Sequence, residues 1–183
     1  MDAERLGRYT SQLTLRYAWA GVSAAEKRAS IVAAAKLGET CARTLAPHWC
    51  PLEAAQVIGW AAAAGVTVSL IPSQGDKADP RVRATYTTRP AQIDVQEWSV
   101  YQLMDEIGDK QPDLAMAMHI AHELYHHLEA TGRVSPASYL RPQRWLPLSL
   151  AVLREIAAHE FVQYLLGRGL PSEWLAVSGP PHG

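Results

Sequence analysis

The sequence predicts an α+β fold in one domain, mostly helical, with a small three-stranded antiparallel sheet. Its 183 residues fit the usual size of a single domain. Apolar residues recur at helical spacing along most of the chain, and they alternate strictly with polar residues only between about residues 66 and 96. No internal repeat or low-complexity segment interrupts this order.

Residues 1–50 are expected to form a helical arm that packs on the same domain. Ser23 and Glu26 have the spacing of a capping box, in which each side chain accepts a hydrogen bond from the backbone N–H of the other residue. This pattern predicts an alanine-rich helix that runs to about Leu45.

The core is expected over residues 51–170, followed by an irregular tail over residues 171–183. Pro51 suits the first turn of a helix and Gly65 favours the end of one, which together predict a helix over about residues 51–64.

Alternation of apolar and polar residues then predicts three strands, each with one buried face. They lie near residues 66–70, 82–86 and 93–95. Arg89 and Pro90 mark a turn between the last two strands. We expect these strands to pair as an antiparallel sheet.

Helical spacing resumes near Trp98 and is broken between Gly108 and Pro112. Two long helices are predicted after this break. The first covers about residues 113–130 and is followed by Gly132, and the second covers about residues 148–166. A proline-containing loop is expected between them.

The charge balance argues against several classes of partner. Lys and Arg together number 17 and Asp and Glu 18, so direct binding to nucleic acid or to an anionic membrane is not expected. Charged residues within the first twenty positions argue against a secretory signal, and no apolar stretch of about 18 residues occurs. We therefore expect a cytoplasmic protein in which Cys41 and Cys50 are free thiols, and the sequence leaves a Cys41–Cys50 disulfide open as the alternative.

The main chemical signal is the segment His122-Glu123-Leu124-Tyr125-His126. Two histidines four residues apart stand one above the other on a helix, so both imidazoles can bind one zinc ion. The glutamate between them can act as a general base toward a water at that ion. We predict that His122 and His126 are metal ligands, that Glu123 is the catalytic residue, and that each chain binds one zinc.

A catalytic zinc site needs a third protein ligand, for which the last helix offers Glu155 and Glu160. On a helical wheel Glu155 falls on the apolar stripe, where a carboxylate is costly to bury unless it is paired or bound to a metal. Glu160 points about 140° away from Glu155. We expect Glu155 to be the ligand, and the sequence leaves Glu160 open as the alternative.

Three further side chains are expected near the ligands, as supporting groups or as contacts to a substrate. His159 lies close to Glu155 on the wheel and could orient a ligand. His119 shares the ligand face one turn earlier, where it could contact a substrate or serve as a structural histidine. Tyr125 could offer a hydroxyl to a developing oxyanion or pack in the core.

The order of these segments resembles the ImmA/IrrE family of small zinc metallopeptidase domains over about residues 51–166. The resemblance lies in Ala61 to Val68, in Arg83 to Tyr86 followed by Ala91 to Val95, in Ile120 to Leu128 with the HExxH motif, and in Glu155 to Phe161. Two positions depart from the family pattern. Tyr125 stands where glycine is common, and Ala157 stands where many members carry a second glutamate.

This resemblance implies a zincin-like fold of the gluzincin type, with a small sheet beside the metal helix. It implies a zinc-dependent endopeptidase that cleaves a cytoplasmic protein in a regulatory circuit, often a transcriptional repressor. We expect an extended substrate to pair with the sheet edge near residues 82–88. The alternatives are a metal-binding regulatory or protein-interaction domain without peptidase turnover, and a structural His/Glu network without metal.

Overall fold

The computed structural model describes residues 3–16, 22–46, 52–73, 82–135 and 147–171, together with Trp174. These residues form the helices α1 (Ala3–Arg16), α2 (Ala24–Leu45), α3 (Ala54–Ala63), α4 (Glu97–Ile107), α5 (Pro112–Ala130) and α6 (Pro147–Leu166). They also form the strands β1 (Thr67–Ile71), β2 (Ala84–Thr88) and β3 (Ala91–Gln96). The prediction of a mostly helical α+β fold is confirmed. None of the described helices combines the length and apolar character needed to cross a membrane.

The three strands form a mixed sheet, so the prediction of an antiparallel sheet is wrong. Their order is β1-β3-β2, with β1 parallel to β3 and β2 antiparallel to β3. The tight turn after β2 makes β2 and β3 a hairpin, whereas the longer connection after β1 carries the chain to the far edge of the sheet. Since β3 then returns between its neighbours, it runs alongside β1 in the same direction. Alternation along a strand reveals its buried face but not its neighbour in the sheet.

Helix α2 begins as predicted, and α3 begins later than predicted. The Ser23 Oγ accepts from the Glu26 backbone N–H at 3.2 Å, and the Ser23 N–H donates to Glu26 Oε2 at 2.9 Å. Helix α3 starts at Ala54, where the Glu53 N–H donates to the Gln56 side chain at 2.8 Å. This local pairing, and not Pro51, sets the start of α3, and Pro51 itself lies outside the described residues.

Helix α5 lies at the centre of the molecule and contacts α3, α4, α6, β2 and β3. Pro112 occupies its first turn. Gly132 ends it with a positive φ of 72°, which lets the Arg133 N–H donate to the Leu128 carbonyl at 2.9 Å. Helix α6 packs against α5 and buries many of its polar side chains together with its apolar ones.

Helices α2 and α6 approach each other closely at Gly38. A Cβ at this position would overlap the carbonyl oxygen of Ala157 and would stand 2.8 Å from the carbonyl carbon of the same residue. Two small residues therefore allow close packing of two long helices. Glu155 lies two residues before Ala157, so this crossing fixes the depth at which α6 presents its carboxylate to α5.

The N-terminal helix α1 is tied to α6 through a buried carboxylate. Arg5 Nη1 donates to Glu160 Oε2 at 3.1 Å, and the Tyr9 hydroxyl donates to Glu160 Oε1 at 3.0 Å. Burial and the nearby Glu160 charge raise the pKa of Tyr9 well above its usual value, so this hydroxyl stays protonated and remains a donor. The arm thus packs on the same body as the core.

Two other sequence expectations fall partly outside the described residues. Cys41 is a buried free thiol, and burial together with Glu129 raises its pKa to about 12, but Cys50 is not described. Of the tail expected over residues 171–183, only Pro171 and Trp174 are described.

Candidate metal centre

Three side chains from α5 and α6 converge on one point. His122 Nε2 lies 3.1 Å from Glu155 Oε2, His126 Nε2 lies 3.4 Å from Glu155 Oε1, and the two Nε2 atoms lie 3.2 Å apart. All the potential ligand atoms of this group stand within 4.8 Å of one another. The structure therefore brings together the three residues that the sequence predicts as metal ligands.

This geometry fits a tetrahedral ion. Ligand atoms that bind tetrahedral zinc at roughly 2.0–2.1 Å stand about 3.3–3.4 Å apart, close to the separation of the two Nε2 atoms and to the distance from each Nε2 to one oxygen of Glu155, a different oxygen for each histidine. Two imidazole nitrogens and one carboxylate form the donor set typical of catalytic zinc sites, which keep a fourth position open. The described residues thus supply a site that could hold a metal ion.

The second nitrogen of His126 has a built-in partner. His126 Nδ1 faces Glu129 Oε2 at 3.5 Å, and Arg154 Nε donates to the same oxygen at 2.7 Å. Burial raises the pKa of Glu129, but the bonds from His126 and Arg154 outweigh it and lower this pKa overall. A charged Glu129 favours the proton of His126 on Nδ1, which leaves Nε2 available to a metal.

Opposing electrostatic effects act on the pKa of two of these three side chains. Burial lowers the pKa of His126, but the carboxylates of Glu155 and Glu129 oppose it and raise this pKa to about 10. Burial likewise raises the pKa of Glu155, yet the two histidines reverse this and hold it well below its usual value. The pair of histidines and one carboxylate therefore favours bound positive charge.

Glu123 lies beside this cluster but outside its ion-pair network. Its side chain is half-buried, and burial raises the pKa of its carboxyl while His122 and His126 oppose the increase. A carboxylate with an elevated pKa next to a metal site is suited to accept and return a proton.

His159 packs against His122, one of the three residues that could hold a metal ion. Within the described residues no hydrogen bond joins the two side chains. Its ring meets that of His122 edge-on, with centroids 5.4 Å apart. Burial, reinforced by His122, lowers the pKa of His159 to about 3, so this side chain is neutral at physiological pH. The Nδ1 atoms of His122 and His159 are both buried and have no partner within the described residues.

His119 and Tyr125 take packing positions. His119 Nε2 lies 3.3 Å from Ser99 Oγ, and its ring stacks on Trp174 with centroids 5.1 Å apart. Burial lowers the pKa of His119 to about 3. The ring of Tyr125 is fully buried between His126 and Phe161, with centroids 5.9 and 5.6 Å away. An aromatic ring thus fills the space between α5 and α6 at this position.

Glu160 points away from the metal ligands, toward α1. Arg5 and Tyr9 bind both of its oxygens, and it is absent from the cluster of potential ligand atoms. The structure therefore places Glu155 in the ligand position and gives Glu160 a different role, as the helical wheel suggests.

The edge strand β2 is fixed to α5 by a contact that the sequence does not predict. The Tyr86 hydroxyl lies 2.8 Å from His127 Nδ1, and the two rings meet edge-on with centroids 5.4 Å apart. Neither residue stands out in the sequence, because each is the other's partner and the two lie 41 positions apart. This bond holds the free edge of the sheet against α5.

The pairing register shows which backbone groups of β2 point away from β3. The Gln96 N–H donates to the Arg83 carbonyl at 2.9 Å, so Thr85 and Thr87 also direct their backbone groups toward β3. Ala84, Tyr86 and Thr88 therefore direct their N–H and carbonyl groups away from the sheet. An extended peptide could pair with these three residues.

Comparisons with known proteins add no relative. No family model, curated protein or solved structure matches this chain significantly. The geometry of the centre and the sequence resemblance are therefore the two grounds for a functional proposal.

Proposed function

We propose that this chain is a zinc-dependent endopeptidase of the ImmA/IrrE type, which cleaves a cytoplasmic protein such as a transcriptional repressor. The observation that carries the proposal is the convergence of His122, His126 and Glu155 at tetrahedral spacing, with Glu123 beside them. A largely buried cluster of two histidines and one carboxylate, next to a half-buried glutamate, suits metal-assisted hydrolysis better than a structural role.

His122, His126 and Glu155 would hold the zinc ion, whose bound state supplies an acidified water and polarises a peptide carbonyl. Glu123 accepts a proton at its carboxylate and returns it to the amine that leaves. Glu129 and Arg154 keep the His126 ring oriented.

The substrate is expected to add a strand to β2. Its backbone would pair with the outward groups of Ala84, Tyr86 and Thr88, while the bond between Tyr86 and His127 keeps β2 close to α5. The pairing would place one peptide bond over the ligands carried by α5.

The change Glu123→Gln tests the catalytic part of this proposal. It removes the proton acceptor but leaves the three metal ligands intact, so we expect about 10²–10⁴-fold slower cleavage with unchanged zinc content. The measurement is mass spectrometry of new N-termini generated from a proteome-derived peptide library by the zinc-loaded protein. Chelation should abolish the same products.

The same cleavage assay also distinguishes a peptidase from a metal-binding domain without peptidase turnover. Equal cleavage by the Glu123→Gln and wild-type proteins would contradict the role of Glu123. A wild-type protein that holds zinc but produces no new N-termini would favour a metal-binding regulatory or protein-interaction domain of the same fold.

Backbone N-methylation of a cleaved peptide tests the pose. Because an added strand pairs through every second residue, a methyl group on alternate amide nitrogens should reduce kcat/KM, and a methyl group on the intervening nitrogens should have little effect. The assay compares single-site N-methylated versions of one peptide. Uniform tolerance along the peptide would rule out pairing with β2.

A further inference from the structure

A second group of buried polar atoms lies beside the metal centre and has no role in the proton transfer described above. Arg83 directly precedes β2, and its guanidinium lies 3.9 Å from the centre of the Trp174 ring. The Nε and Nη1 atoms of Arg83 and the Nε1 atom of Trp174 are all buried, and none has a hydrogen-bond partner within the described residues.

These three atoms are all donors. A buried donor without an acceptor costs free energy, so in folded proteins such groups usually meet an ordered water, an ion or a bound molecule. The cluster contains a guanidinium, whose planar fork matches the two oxygens of a carboxylate. Arg83 is itself only partly buried, so part of this residue reaches the surface, although the three donor atoms do not.

Within the described residues, no carboxylate satisfies this cation. Glu106 raises the pKa of Arg83 through its charge, but burial lowers this pKa more strongly and no ion pair joins the two side chains. The neighbouring histidines are also unsuitable partners. His119 stacks on Trp174, and the Arg83 charge contributes to the lowered pKa of both His119 and His159.

The same contacts place the cluster close to the metal ligands. His119 lies one helical turn before His122 on α5, and His159 packs on the His122 ring. A separation of one or two helical turns corresponds to about three residues of an extended peptide. A substrate that reaches the metal centre could therefore also reach Arg83.

We propose that Arg83 and Trp174 form a binding site for a carboxylate of the peptide substrate, within about three residues of the cleaved bond. The inference rests on the proposed function for the nature of the ligand. Its source is either the C-terminal carboxylate of the peptide or an acidic side chain, since both present the same pair of oxygens.

The test uses the zinc-loaded Glu123→Gln protein, labelled with ¹⁵N at its six tryptophan side chains, so that binding is read without cleavage. The indole N–H signal of Trp174 is assigned by its loss in Trp174→Phe. The probes are acetyl-glycyl-glycine, its C-terminal amide, and an amidated peptide whose only carboxylate is a glutamate side chain. We expect the carboxylate probes to move this signal and the fully amidated probe to leave it in place.

Arg83→Gln should raise the probe concentration needed for this shift by about tenfold or more, because it removes the charged fork while keeping a planar side chain over Trp174. Arg89→Gln, an equal loss of charge at the exposed far end of β2, should leave the titration unchanged. If Arg83→Gln does not fold, Arg83→Lys serves instead, and it should also weaken the response because a lysine lacks the fork.

The outcomes separate this site from the peptidase activity. A shift that depends on the carboxylate and on Arg83, in a wild-type protein that cleaves nothing, would support the site and contradict the peptidase. An equal response to the amide, or a response unchanged by Arg83→Gln and by Arg83→Lys, would overturn the site even if peptide cleavage were found. Which carboxylate probe acts at the lower concentration identifies the source.

Discussion

At the scale of single residues, the centre depends on groups that never touch the proposed metal. The Glu129 carboxylate accepts from Arg154 at 2.7 Å and faces His126 Nδ1 at 3.5 Å. A chain from Arg154 to Glu129 to His126 therefore links α6 back to α5 and selects the tautomer that leaves Nε2 available.

The change Glu129→Gln should weaken zinc binding by about 10–100-fold, because the ligand histidine loses a charged partner for its second nitrogen. The measurement is competition for zinc against a chromogenic chelator. Glu160→Gln is the matched control, since it neutralises another buried glutamate that faces Arg5 and Tyr9 and no metal ligand. Equal loss of affinity in both variants would contradict the orienting role of Glu129.

At the scale of helices and strands, the crossing of α2 and α6 sets the position of the third ligand. Because Gly38 has no side chain, the backbone of α6 at Ala157 can approach α2 closely. This close approach sets where Glu155, two residues earlier on α6, lies relative to the histidines of α5. Ala157 is fully buried at this crossing, with its backbone against Gly38. Glu155, two residues earlier, faces the two histidines.

Gly38→Ala should destabilise the protein by about 1–3 kcal/mol, because the new methyl group meets backbone atoms that cannot rotate away. Helix propensity alone would favour alanine by about 1 kcal/mol, so the close approach decides the sign. Gly59→Ala in α3 is the matched control, since nothing lies within 4 Å of its added Cβ and a small stabilisation is expected. Urea unfolding measures both, and a stable Gly38→Ala protein would show that the crossing is looser.

At the scale of the whole molecule, the sequence predicts features with local causes and misses those that depend on distant partners. The helix period alone stacks His122 and His126, and the burial of an acidic side chain on an apolar stripe singles out Glu155. The prediction that all three strands pair antiparallel was wrong, because alternation carries no information about the direction of a neighbouring strand. The contact between Tyr86 and His127 and the cluster of Arg83 and Trp174 join residues far apart in the chain.

The central claim is that the described fold assembles a metal site from His122, His126 and Glu155, and elemental analysis tests it most directly. The measurement covers the native protein, His126→Ala, Glu155→Ala and Glu160→Ala, each purified without chelators. We expect about one zinc per chain in the native and Glu160→Ala proteins, loss in His126→Ala and a lowered content in Glu155→Ala. A well-folded native protein without metal, or a loss in Glu160→Ala as large as that in Glu155→Ala, would contradict the claim.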